Sequence, residues 1–278
     1  MSSPKDAGVL ATGEPLSLGV EAPRLRFGGG PRSDDGRRLL RLDEEPAFEL
    51  SFWCGTCPFL FKRLDGANQT MSIAALEARL ADGLDALDAP VIESFAALLP
   101  KGQYIPMLLC IEPTLVRPLE PGDYFAEEQV ATWGGFRGLR DYPQTPYYRT
   151  FETPIDRYAH LFEFVVPMVP PSWNDEKRVA EHLARLNVSS RPTAVAVTTL
   201  DVCEPAVHED ERDIFAHWAV THFLLDGHHK IEAAASAGKS LRLLSLLSID
   251  GSLADPEALA RVADVRKQSR APREVRGA

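Results

Sequence analysis

Cysteine is scarce in this chain: Cys54, Cys57, Cys110 and Cys203 are the only four in 278 residues. So few thiols cannot staple a protein of this length, and reduced thiols are the expectation. The sequons at Asn68 and Asn187 are then chance matches, because glycosylation requires secretion. No apolar run reaches the roughly 18 residues that a spanning helix needs. The opening stretch, MSSPKDAGVLATGEP, lacks the charged and apolar regions of a signal peptide. These absences lead to the expectation of a cytoplasmic protein with no membrane partner. Basic residues are also in deficit, 30 against 40 acidic, giving a formal charge of −10. The bulk field therefore repels nucleic acid, although a local basic cluster can still hold a small phosphate. Internal repeats are absent from the sequence as well.

What is present is a folding chain with 45% hydrophobic residues, long enough for two modest domains or one large one. Gly, Pro, Ser and charge dominate the first forty or so residues, including Gly28-Gly29-Gly30-Pro31. Residues 47 to 64, AFELSFWCGTCPFLFKRL, read as two strands joined by a tight turn around Cys54 and Cys57. Apolar spacing after Ser72 predicts a helix that Gly83 weakens without breaking. A second helix over 90–99 and a strand over 104–112 follow. Between Pro113 and Pro154 the prolines, Gly134-Gly135 and the tyrosines Tyr142, Tyr147 and Tyr148 point to long loops.

A cleaner pattern begins there: a strand over 161–168, a helix over 174–186 with Asn174 as its cap, and an apolar β-branched strand over 193–202. An acidic stretch with Glu204, Glu209, Asp210 and Glu211 leads to a strand over 217–225. The helix Ile231 to Ala237, ended by Gly238, and a buried strand over 241–249 complete the unit. The tail is helical from Asp255, then Arg-rich and Pro-interrupted. The expected organisation is a mixed α+β region over 1–150 carrying the CxxC hairpin, an α/β domain over 151–254, and a basic tail over 255–278.

Between the last strand–helix pair stands Asp226-Gly227-His228-His229-Lys230. A helix start exposes unpaired N–H groups and the positive end of the helix dipole, so an anion placed there meets backbone and charge together. Gly227 permits a sharp turn and removes a side chain that would block a phosphate. Lys230 supplies a cation, His228 and His229 supply hydrogen-bond donors, and Asp226 can orient an imidazole or cap the turn. The bland alternative is that two adjacent histidines merely decorate a tight turn.

The segment HFLLDGHHKIEAAASAGKSLRLLSLL resembles the signature of the ParB/sulfiredoxin-like superfamily, which also takes in the ParB-like nucleases. It is most similar to the DGHHR turn of ParB-like free serine kinases, over residues 155 to 254 and not over 1 to 150. The resemblance implies nucleotide-phosphate binding by Asp226, Gly227, His228, His229 and Lys230, with ATP or another nucleotide and magnesium as cofactors. It further implies phosphoryl transfer to a small hydroxyl-bearing metabolite, with Asp226, His228 and His229 as catalytic candidates. Lys230 stands where Arg is usual, which keeps the charge and loses the bidentate fork. Sulfiredoxins carry a catalytic cysteine where this chain has His228, and ParB proper adds a helix-turn-helix region that is not visible here.

A non-catalytic nucleotide-binding switch is the competing class. A third reading centres on Cys54 and Cys57, whose spacing suits half a zinc site or a redox pair. Pro58 and the apolar run after Cys57 favour a packed hairpin over either. Self-association as a homodimer is left open by the sequence.

Overall fold

The computed structural model describes residues 8–29, 38–50, 61–117, 120–123, 126, 145–187, 191–203 and 216–268. The strands are β1 (Gly8–Thr12), β2 (Leu16–Leu18), β3 (Leu25–Gly29), β4 (Arg38–Leu42), β5 (Glu45–Leu50) and β6 (Phe61–Arg63). They continue with β7 (Gly102–Ile111), β8 (Thr114–Val116), β9 (Tyr147–Pro154), β10 (Ala159–Pro167), β11 (Thr193–Cys203), β12 (Ala216–Asp226) and β13 (Leu241–Ser248). The helices are α1 (Glu77–Asp82), α2 (Ala89–Ala96), α3 (Glu176–Asn187), α4 (His228–Ala237) and α5 (Pro256–Gln268). The class is α+β, as the sequence led us to expect.

Nine strands form one mixed sheet in the order β1-β7-β13-β11-β12-β10-β9-β8, with β2 also on β7, and β3-β4-β5-β6 form a second sheet. The central strands are buried on both faces, which explains why β12 reads as an almost unbroken apolar run. Alternation still sorts the side chains. Val195, Val197, Phe223, Leu244 and Leu246 point into a core shared with Phe48 and Leu40 of the small sheet and Val91 and Phe95 of α2. Ala194, Ala196, Leu224, Leu243 and Leu247 point the other way, towards Ile231 and Ala234 of α4 and Leu259 and Val262 of α5. Burial of this many aliphatic side chains, each contributing about 1.5–3 kcal/mol, makes the sheet the stable frame of the molecule. Arg38 of β4 bonds Asp201 of β11 at 2.8 Å, with both side chains buried, and so ties the small sheet to the large one.

The large sheet crosses residue 150: β7 lies antiparallel to β13, and β9 itself spans the boundary. Local pattern carries no sign of that pairing. Tyr147 and Tyr148 are buried within β9 rather than in a loop, because β9 pairs with both β8 and β10. Gly83 does end α1: its φ of +96° leaves the helical region. The cap of α3 is Asp175, whose carboxylate accepts the N–H of Lys177 and Arg178, and not Asn174. Helix α4 begins three residues earlier than its apolar spacing suggested. The expected pairing around the CxxC segment is present, with β5 antiparallel to β6, while Cys54 and Cys57 lie outside the described residues. Tyr142 and the acidic residues Glu204, Glu209, Asp210 and Glu211 lie outside them too.

Candidate functional site

The Asp226 to Lys230 turn sits where β12 ends and α4 begins. Gly227 is the N-cap, with φ +103° in the left-handed region and no side-chain cap on the helix. A Cβ at this position would stand 2.6 Å from the Ala194 Cβ and 3.0 Å from its Cα. The glycine therefore serves backbone geometry and close approach to β11.

Each neighbouring side chain has an internal partner. The Lys230 ammonium donates to Asp226 at 2.7 Å and to the Thr193 carbonyl at 2.9 Å, with Lys230 5% and Asp226 7% exposed. Burial alone would raise the Asp226 carboxyl, but the Lys230 charge and a hydrogen bond from Ser72 outweigh it and hold it below its ordinary value. His228 Nε2 accepts the Met168 N–H at 3.0 Å, and His229 Nε2 accepts the Asp175 N–H at 3.1 Å. The paired histidines thus staple the 168–175 loop onto the first turn of α4. Asn174 strengthens the staple by donating to the His228 carbonyl and to Glu232.

An acceptor role at Nε2 puts the proton of each neutral ring on Nδ1. Burial, only partly countered by Asp226, pushes His228 down to about 3, and no acceptor for its Nδ1 exists among the described residues. His229 is also lowered, first by burial and then by Arg178.

Above the turn opens a pocket of about 170 Å³. Its floor is the uncapped first turn of α4. The first intrahelical bond there is Ile231 N–H to the Gly227 carbonyl, so the N–H groups of His228, His229 and Lys230 precede the helical ladder. One wall is Thr70, Ser72 and Ala74, a segment held in place by the Met71 N–H donating to the Leu225 carbonyl at 2.9 Å. Region 1–150 therefore completes the pocket. Glu77, Arg178 and His182 form the other wall. Burial first, then the charges of Lys230, Arg185, His229 and Arg178, lowers His182 to about 4.

The structure brings Asp226, Gly227, His228, His229 and Lys230 together, but turns Asp226, His228 and Lys230 towards the interior. Sequence reasoning missed Thr70, Ser72, Glu77, Arg178 and His182. The spacing of Arg178 and His182, four apart on one helix, was the available signal for the last two. Among the described residues, no group of three or more His, Cys, Asp or Glu side chains is placed to hold a metal ion, and no helix is long and apolar enough to cross a membrane.

No family model, no curated protein and no solved structure matches the chain.

Proposed function

We propose that the protein binds the phosphate of a nucleotide at the amino end of α4. The carrying observation is the uncapped first turn of that helix, which opens into a pocket rimmed by the hydroxyl-bearing Thr70 and by His229. Backbone N–H groups supply directional donors, the helix dipole favours an anion, and the His229 Nδ1–H adds a third kind of donor. The resemblance of the DGHHK turn to the ParB/sulfiredoxin-like superfamily supports a nucleotide over other phosphate carriers. Magnesium would enter with the phosphates, since it is commonly held by one or two carboxylates plus substrate oxygens.

Binding is better supported than phosphoryl transfer. Asp226 and Lys230 neutralise each other in the interior, and His228 accepts a backbone hydrogen bond there, so these side chains anchor the turn. A nucleotide-binding module with a backbone anion site is the reading that uses the geometry as it stands.

Calorimetric titration with ATP, ADP and CTP plus magnesium tests this, alongside His229→Glu. A glutamate at the helix start favours α4 and retains an acceptor for the Asp175 N–H, yet places negative charge where the phosphate would sit. Loss of nucleotide binding in a variant that melts no lower than wild type is the expected result. Equal binding in both proteins, or none to folded wild type, sinks the reading.

A further inference from the structure

A second cavity, of about 430 Å³, runs between α1 and α3 beside the phosphate pocket. Ala74, Glu77, Arg178 and His182 line both cavities, so they form the partition between them. The Arg178 guanidinium donates to the Glu77 carboxylate at 2.6 Å within that partition. Resting on the phosphate reading of the α4 end, we propose that Glu77 is an internal stand-in for a second anionic group of the ligand, which takes its place on Arg178. The ligand class is one with phosphoryl groups in tandem, such as a nucleoside di- or triphosphate.

Geometry and chemistry together support the exchange. The pair is easily given up: the Arg178 and Glu77 side chains are 50% and 65% exposed, and ion pairs at such positions contribute little to stability. A phosphoryl oxygen offers Arg178 the same planar, two-point recognition that a carboxylate does, so the replacement leaves no donor stranded. The partition also has an unfilled polar position, because the Nδ1 of His182 is buried with no partner among the described residues. Small side chains at Ala74, Ala78 and Ala81 keep the α1 side of the second cavity open, so a chain leaving the α4 end has room to pass Arg178.

Calorimetry with orthophosphate and with pyrophosphate, on wild type, Glu77→Gln and Arg178→Gln, reads this directly. Orthophosphate reports the α4 end alone and pyrophosphate reports both positions. Pyrophosphate should bind wild type more tightly than orthophosphate, and Arg178→Gln should bring the ratio towards one. Glu77→Gln should widen the ratio about threefold to fivefold, the scale of an exposed ion pair. A ratio that Glu77→Gln leaves unchanged or narrows overturns the exchange while the α4 site stands. Binding of neither anion to folded wild type overturns the α4 site and the exchange together. Thermal melts of the two variants, both altered at exposed side chains, confirm that the comparison is between folded proteins.

Discussion

His228 Nε2 accepts the backbone N–H of Met168 at 3.0 Å, which makes the first histidine of the turn a neutral acceptor locked against the end of β10. Arg63 holds the same strand end by donating to the Pro167 and Met168 carbonyls. The turn is thereby fixed to the end of β10, the parallel neighbour of its own strand β12, and the pocket floor inherits that rigidity.

This bond makes stability depend on pH. Burial lowers His228 from 6.5 to about 3, and lowers His182 and His217 to about 4. Below about 6.5 the unfolded chain takes up protons that these folded rings refuse, so stability is full above that pH and declines as pH falls towards 4 and then 3. The urea midpoint should drop between pH 7 and pH 5. His228→Gln, which can still accept the Met168 N–H, should reduce the slope, whereas His228→Ala should cost about 1–3 kcal/mol at pH 7 by leaving that donor unsatisfied. An unchanged slope in His228→Gln would remove His228 from this account.

Asp226 and Lys230 should behave as a coupled unit. Lys230→Met leaves the Asp226 carboxylate buried without its cation, and the expected loss is about 3–5 kcal/mol. Replacing both, with Asp226→Leu and Lys230→Met together, removes the stranded charge and should recover part of that loss. A double-mutant cycle by chemical denaturation decides the matter, and strictly additive effects would contradict a coupled pair.

The strands β10 to β13 and helix α4 were legible because their apolar runs are long and punctuated by Gly227 and Gly238. The site was legible in location but not in side-chain direction. Asp226 and Lys230 carry the same residue types whether they face a ligand or each other, and only the approach of Thr193 and Ala194 on β11 decides. The contribution of Thr70 and Ser72 depends on the backbone bond between Met71 and Leu225 and on the hydrogen bond from Ser72 to Asp226, between residues far apart in sequence, and no local pattern encodes them. The placement of β7 beside β13 escaped for the same reason.

A buried polar chain on the helical face of the large sheet yields the last prediction. Thr150 of β9 donates to Glu163 of β10 at 2.6 Å, and Arg266 of α5 pairs with Glu163 at 2.7 Å. His222 of β12 stands 3.6 Å from Glu163, and its Nδ1 shares a hydrogen bond with Thr198 of β11, which in turn bonds Ser245 of β13. Burial would raise the Glu163 carboxyl, but Arg266, His222 and Thr150 together bring it down to about 2. Because the folded value lies below the ordinary 4.5, this group's stabilisation is present above about 4.5 and is lost as pH falls through about 2. Glu163→Gln leaves the Arg266 guanidinium without its carboxylate in a closed interior, so a loss of about 3–5 kcal/mol is expected at neutral pH. Since Arg266 belongs to α5, the first consequence should be local: amide hydrogen exchange in α5 should quicken well before the central strands respond. If α5 exchanges at the wild-type rate in Glu163→Gln, the helix is held by Leu259 and Val262 against the sheet, and the Glu163–Arg266 pair contributes nothing to its docking.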